Sequence, residues 1–511
     1  MRLTVGQIAE FCQGEILYGD AAKMARSVSI DTRKATMGGV FIALKGEEDD
    51  GHQYVNRAIK EGAVAILVSS RQAAEHVVGL AERKGCAAIL VTDTLKALQR
   101  LAREWLEIVD ARVIGITGST GKTSTKEIMA CVLGQRFKVA YTDGNQNNEI
   151  GVPLTVLGAE EDDEILIVEM GMRGRGQITE LCDIVSPTIG VITSIGSSHI
   201  DLLGSMEEIV EAKAELLRAL PKGGLAVFEA DKPYTERLKA ASAARSMTVG
   251  IDSDEAKLMA TKVQLDASGC PSAHIMSLKG NLDIALAIAG RHQLANALLV
   301  IAVAQELGLS AALIEKGLEQ ARLTGMRFKI DINHTTEVMV INDAYNANPN
   351  SMEQAILTLA SMEVASRRVC VLGDMLELGK ISPQEHYKIG ATLAHANIDA
   401  LFSYGDFSAD MVSGAQENGL AVAYAYDWIE LDVMTEEVQT YLHAGDCVLV
   451  KASRGMELER VAHVLLGDEK EDGLPVVSPS LREQPTQPLV PVNVSRHRVD
   501  ESFGEGDGHA R

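Results

Sequence analysis

The stretch that most narrows what this chain can become is Arg112-Val113-Ile114-Gly115-Ile116-Thr117-Gly118-Ser119-Thr120-Gly121-Lys122-Thr123. Val113 to Ile116 is a short apolar run rich in β-branched side chains, which predicts a buried strand. The run breaks at Gly118 and Gly121, and apolar residues return at Ile128, Met129, Val132 and Leu133, the spacing of one helix face. Strand, glycine turn and helix together make a cradle for a phosphate chain. Glycines let backbone N–H groups approach the oxygens, and the helix N-terminus adds positive potential. Lys122 is placed to reach the β- and γ-phosphates, and the Thr123 hydroxyl to hold Mg2+. The general pattern wants a glycine five positions before Gly121, where this chain has Ile116, so the loop is the shortened form Thr-Gly-x-x-Gly-Lys-Thr. The expectation is that Thr117, Gly118, Ser119, Thr120, Gly121, Lys122 and Thr123 hold a nucleoside triphosphate.

A chain of 511 residues exceeds one core and predicts about three domains. The formal net charge of −23 speaks against non-specific nucleic-acid binding, which calls for a basic face. The seven cysteines are scattered with no Cys-x-x-Cys pair, the usage of a reduced cytosolic protein. No apolar run is long enough to span a bilayer, and the N-terminus lacks a signal-peptide core. A cytoplasmic chain without membrane insertion is expected.

Residues 1–109 read as a small α/β domain, with strands over 28–33, 63–68 and 87–91 and a helix over 55–61. Asp31, Thr32, Arg33 and His52 are polar groups at strand ends and loops, where ligands are commonly held, although turn chemistry explains them equally well. Residues 110–322 alternate strand and helix as an open parallel sheet does. Strands over 165–168 and 189–195 end at Glu169 and just before His199, so three strand ends, with the phosphate loop, converge on one site. Glu169 is an oxygen ligand suited to Mg2+, and neutral His199 a nitrogen ligand or a phosphate contact. Lys213, in a helix over 206–220, reads as a solvated helix-face lysine. The section over 245–290 reads as more irregular, with alternating β-like runs, and Asn296, early in the helix that follows, could present its amide to a base edge. Residues 323–466 repeat strand-to-polar-loop units without a phosphate loop, and their loops carry Arg327, Asp343, Lys451 and Arg454. From residue 467 the pattern dissolves into a tail holding five of the twelve prolines, which predicts disorder.

Taken together, these residues resemble the Mur ligase family. The resemblance is carried by Thr-Gly-Ser-Thr-Gly-Lys-Thr, Asn147-Asn148-Glu149-Ile150-Gly151-Val152-Pro153, Glu169-Met-Gly-Met-Arg173 and Ser198-His199. Ala212-Lys213, Gly290-Arg-His-Gln-Leu-Ala-Asn296 and Asp343-Ala-Tyr-Asn-Ala-Asn-Pro349 extend it. With Gly373-Asp-Met-Leu-Glu-Leu-Gly379, the last of these is most similar to the members that add D-alanyl-D-alanine. The resemblance implies an α/β enzyme of three domains: a small substrate domain for the UDP-muramoyl moiety (1–109), a central ATP-binding sheet (110–322) and a Rossmann-like sheet (323–466). It implies an ATP-dependent peptide ligase that joins UDP-N-acetylmuramoyl-tripeptide to D-alanyl-D-alanine through an acyl phosphate, and a chain that works as a monomer. Thr123, Glu169, His199 and a carbamylated Lys213 would bind Mg2+, with Lys122, His199 and Lys213 catalytic. Asn296 would contact adenine, with Arg327 and Asp343 closing on ATP from the third domain. Asp31, Thr32, Arg33, His52, Asn148, Tyr345, Asn346, Asn348 and Lys451 would face the other substrates. A folylpolyglutamate synthase is disfavoured by the N-terminal motifs, and a GTPase by the lack of Asn-Lys-x-Asp.

Overall fold

The computed structural model describes residues 1–33, 37–46, 49–198 and 200–467. His199 and the proline-bearing tail from residue 468 onward therefore lie outside the described residues. Three main sheets organise the rest.

The first has five strands in the order Glu15–Tyr18, Ala87–Leu90, Ala65–Val68, Val40–Ile42, Val28–Ser29, parallel except at the Glu15–Tyr18 edge. The strand expected over 28–33 stops at Ser29. The carboxylate of Asp31 accepts the Arg33 N–H at 2.9 Å, a local turn that competes with sheet pairing.

The second sheet has nine strands, and its middle holds the phosphate-loop strand. Arg112–Thr117 lies between Ile189–Ile192 and Ile165–Glu169, parallel to both, with every residue after Arg112 buried. Such burial on both faces explains the continuous apolar runs. Strand Ile189–Ile192 is shorter than its apolar pattern. Thr193 and Ser194 turn instead toward the phosphate loop, where Ser119 N–H donates to the Ser194 carbonyl at 3.0 Å. The alternating runs over 245–290 are strands of this sheet. Leu258–Leu265 runs parallel to Arg245–Ile251, and Pro271–Ser277 and Leu282–Ala285 add antiparallel to that edge. Alternating burial along these strands marks a half-exposed surface and accounts for the weaker signal. The sheet is mixed at one edge, not wholly parallel.

The third sheet orders six strands as Lys329–Asn333, Val338–Asn342, Cys447–Lys451, Arg368–Gly373, Ala400–Tyr404, Ala423–Tyr426, with only the first antiparallel. Its helices Ser382–His395 and Ser408–Glu417 cross at Gly390 and Gly414. A Cβ on either glycine would run into the backbone carbonyl of Met411 or Tyr387, so only glycine permits this approach. No described helix is long and apolar enough to cross a membrane.

Candidate active site

The phosphate loop is braced from the next strand's end. Thr120 N–H donates to Ser194 Oγ at 2.9 Å, Gly196 N–H to Ser119 Oγ at 2.9 Å, and the Thr117 hydroxyl to the Met170 carbonyl at 2.9 Å. Gly121 sits in left-handed backbone (φ 81°), and a Cβ there would lie 2.5 Å from Asn296 Oδ1, so the glycine is required on both counts. Helix Lys122–Leu133 begins at once, and Lys122 Nζ folds back to donate to the Gly118 carbonyl at 2.7 Å. The ammonium thus spans the cradle. Withdrawal from water lowers its pKa and Arg327 adds to this, against the pull of Glu169.

Below the loop, the Thr123 hydroxyl donates to Glu169 Oε2 at 2.8 Å and Asn147 Nδ2 to Glu169 Oε1 at 2.8 Å. A hydroxyl and a carboxylate in contact, beside a phosphate cradle, are a donor set that suits Mg2+ completed by phosphate oxygens and water. Among the described residues no group of three or more His, Cys, Asp or Glu could hold a metal by itself. The expected contribution of His199 falls on a residue that is not described.

Lys213 overturns its reading as a solvated lysine. It is 2 % exposed within helix Met206–Arg218, between buried Ala212 and Ala214. Burial, and then the charge of Lys122, hold its pKa well below the usual lysine range. No acidic side chain of the described residues pairs with it. The signal was present in the spacing: Ile209, Lys213, Leu216 and Leu217 share one apolar helix stripe.

The third sheet brings its loops over this site. Asn348 Nδ2 donates to Ser198 Oγ at 2.9 Å, and Asn350 Nδ2 reaches Thr120 Oγ1 at 3.5 Å. Asp343 pairs with buried Lys451 at 2.8 Å and accepts the Phe328 N–H at 3.0 Å, while Lys451 Nζ also donates to the Asn346 carbonyl at 2.9 Å. The Arg327 guanidinium stacks 4.0 Å over Tyr345. Asn296 sits behind the loop, with Nδ2 donating to Gln293 at 2.8 Å and Oδ1 accepting from Thr125 at 3.3 Å. These two bonds use one amide N–H and one lone pair of Asn296 and fix its plane beside Gly121. Asn148 is likewise committed, its Oδ1 accepting Gly151 N–H at 2.9 Å at the start of helix Gly151–Gly158. Neighbouring Asn147, which the sequence did not single out as a site residue, holds Glu169 instead.

On the first sheet, Asp31 and Arg33 pair at 2.8 Å, Thr32 is buried, and His52 Nε2 accepts Ser69 N–H at 3.1 Å while its Nδ1 lies 2.6 Å from Asp50. His52 holds the Asp50 carboxyl below the ordinary carboxylate range, first through its backbone N–H and then through its ring.

Known proteins match this arrangement along nearly its whole length. The Mur ligase family, catalytic domain, matches residues 25–106; the Mur ligase middle domain matches 116–304; and the Mur ligase, glutamate ligase domain, matches 326–454. UDP-N-acetylmuramoyl-tripeptide--D-alanyl-D-alanine ligase of Bacillus subtilis is 37% identical over 91% of this chain and 99% of its own. The chain belongs to the Mur ligase family. The Escherichia coli ligase of the same name is 31% identical over 91% of this chain and 98% of its own. Among solved structures, MurF from Acinetobacter baumannii superposes with a TM-score of 0.81 at 28% identity, covering 92% of this chain and 99% of that one. MurF ligase from Thermotoga maritima in complex with ADP superposes with a TM-score of 0.72 at 26% identity, covering 87% of this chain and 98% of that one.

One further group of this Mur ligase faces the joint between sheets. The Nδ1 of His292 is shut away from water without a hydrogen-bond partner. Burial first, then Lys451, against the pull of Asp343, brings the ring's pKa down to about 4. Between pH 6.5 and 4 the unfolded chain therefore binds a proton that the folded chain does not, so this residue makes stability fall as pH drops through that window. His292→Gln should remove the slope. Urea unfolding of wild type should lose about 1–2 kcal/mol more than the variant between pH 7 and pH 5.

Proposed function

We propose that this ligase joins the carboxylate of UDP-N-acetylmuramoyl-tripeptide to the amine of D-alanyl-D-alanine, cleaving ATP to ADP and phosphate. The observation that carries the reading is the phosphate loop with Lys122 beside the Thr123–Glu169 contact, reached by Asn348 and Asn350 from the third sheet. A carboxylate oxygen of the tripeptide attacks the γ-phosphorus, the bond to the β-phosphate bridging oxygen breaks, and ADP leaves with the charge spread toward Lys122 and the loop N–H groups. The dipeptide amine then attacks the acyl-phosphate carbonyl carbon, and the tetrahedral intermediate expels phosphate as the nitrogen gives up a proton. Thr123 and Glu169, with His199, would hold Mg2+, whose chemistry is to neutralise the phosphate oxygens. Asp31, Thr32, Arg33 and His52 form the edge offered to the UDP-muramoyl group. Tyr345, Asn346, Asn348 and Lys451 form the dipeptide side, and Asp343 steers the Arg327 segment through Phe328.

Lys213 is read as carbamylated. Burial with no acidic partner lowers the amine's pKa and so favours its neutral form, and a neutral amine attacks CO2, loses a proton and becomes an anionic carbamate beside the phosphate cradle. The enzyme is read as a cytoplasmic monomer whose cysteines stay reduced. Burial raises their pKa values, with Cys86 pushed up to about 11.

Phosphate release from ATP with UDP-N-acetylmuramoyl-tripeptide tests the assignment. Release should require D-alanyl-D-alanine. Release with a single amino acid in its place would move the acceptor assignment, and no release with any acceptor from folded, ATP-binding protein would overturn the reading.

A further inference from the structure

The segment joining the second sheet to the third, residues 321–328, is fastened at both ends. On the side of the third sheet, Phe328 N–H donates to Asp343 Oδ1 at 3.0 Å and Tyr345 N–H to the Met326 carbonyl at 3.2 Å. On the other side, beyond the packing of Ala321 and Leu323 into the second sheet's core, the strap is gripped by one residue of the phosphate-loop helix. Glu127 Oε2 accepts the Thr324 N–H at 2.8 Å, and Oε1 accepts the Thr324 hydroxyl. A helix-face glutamate ordinarily serves a nearby lysine or arginine. Here both oxygens are spent on one residue of the strap, and no ion pair of Glu127 occurs among the described residues. Between the two fastenings the backbone is left-handed at Gly325 (φ 70°) and again at Phe328 (φ 53°), so the strap is sharply bent, and Arg327 stands on the bend.

We propose that Glu127 is a positioning residue for nucleotide binding: by gripping Thr324 it registers Arg327 against the phosphates held one helical turn away at Lys122 and Thr123. The logic is one of reference frames. The phosphates are fixed by the N-terminus of helix Lys122–Leu133, and Arg327 belongs to a different sheet. A clamp from the same helix to the strap fixes the cation relative to the phosphates directly, whatever the rest of the third sheet does. Charge-assisted bonds of this kind, and a long side chain held ready, are each worth enough to change affinity several-fold. The proposal rests on the reading that Arg327 faces ATP.

The test is a double-mutant cycle in the full-length chain, with binding of a non-hydrolysable ATP analogue and Mg2+ measured by calorimetry. Glu127→Ala and Arg327→Ala should each weaken binding roughly tenfold, and the double variant should bind no more weakly than Arg327→Ala alone. Thr324→Ser, which keeps both donors, should bind as wild type, while Thr324→Val, which keeps only the N–H, should fall between. Additive losses in the double variant would overturn the proposal, as would wild-type affinity in Glu127→Ala. Wild-type affinity in Arg327→Ala would remove the ATP-facing reading itself, and the proposal with it. If Glu127→Ala does not fold, Thr324→Val takes its place in the cycle with the same outcomes.

Discussion

Lys122→Ala should lower ATP-driven phosphate release by about three orders of magnitude, in line with the loss of a preorganised charge at a transferring phosphoryl group. The fold should survive. In the structure the ammonium makes a single hydrogen bond, to the Gly118 carbonyl at 2.7 Å, and its charge is held away from water. Removing a desolvated cation with one neutral partner relieves as much as it forfeits. Lys122→Arg should not restore the rate, because a planar fork has no room to fold back over the loop as the slim ammonium does. Single-turnover phosphate release and the thermal unfolding midpoint, measured on the same preparations, separate the two effects. A parallel fall in midpoint and rate would assign Lys122 a structural role.

Lys213→Ala should cost two to three orders of magnitude in rate, on the order of one lost charge-stabilising group. Millimolar formate or acetate should recover part of it, since the cavity left behind would admit a small carboxylate where the carbamate stood. With carbon-13-labelled CO2, wild type should show a carbamate resonance that Lys213→Ala lacks. The amine's lowered pKa fixes the sign of a second effect. Between the lowered pKa of the folded chain and 10.5, the unfolded chain carries a proton on Lys213 that the folded chain does not, so this residue makes stability rise with pH across that window. Lys213→Met should consequently raise the unfolding midpoint at neutral pH, without nucleotide or CO2, while abolishing activity. Gain in stability with loss of function is the mark of a residue kept for chemistry. A variant that is both active and destabilised would refute the assignment.

The site was legible to the extent that it lies in local pattern. The glycine turn, the strand ends at Glu169 and before Ser198, and the polar loop after Val338–Asn342 were all visible, because turn chemistry and apolar runs are written in neighbouring residues. Partnership across sheets was not. Nothing near Asn147 announces that its amide holds Glu169, and nothing near Glu127 announces a grip on Thr324, because both pairings are made by the folding of distant segments. The closeness of Asn296 to the loop is equally hidden in the sequence, since it depends on Gly121, far away in the chain, having no side chain to occupy the space. Lys213 was a different kind of miss. Its apolar stripe was in the sequence, but the positive charge was allowed to outweigh the period. The edge strands over 258–285 show in the sequence only as alternating runs, because a half-solvated sheet lacks the long buried run that marks the middle strands.

The first two sheets each pack an apolar layer of their own on one face and share a third layer between them. Residues from Met1 to Val109 and from Val113 to Ala244 contribute to one continuous apolar core, and the Trp105 indole N–H donates to the Ala159 carbonyl at 3.1 Å across the junction. The clusters of the third sheet are drawn almost wholly from residues 328–465. A common interior has no slip plane, so shear between the first two parts would expose packed side chains, whereas the third is tethered by a strap and by polar loop contacts. The molecule is thus an anvil and a hammer in mechanical terms. Sliding between the edge bearing Asp31 and His52 and the cradle around Lys122 would cost packed apolar area, whereas the part that carries Arg327, Tyr345 and Lys451 meets the cradle through the hydrogen bonds of Asn348 and Asn350.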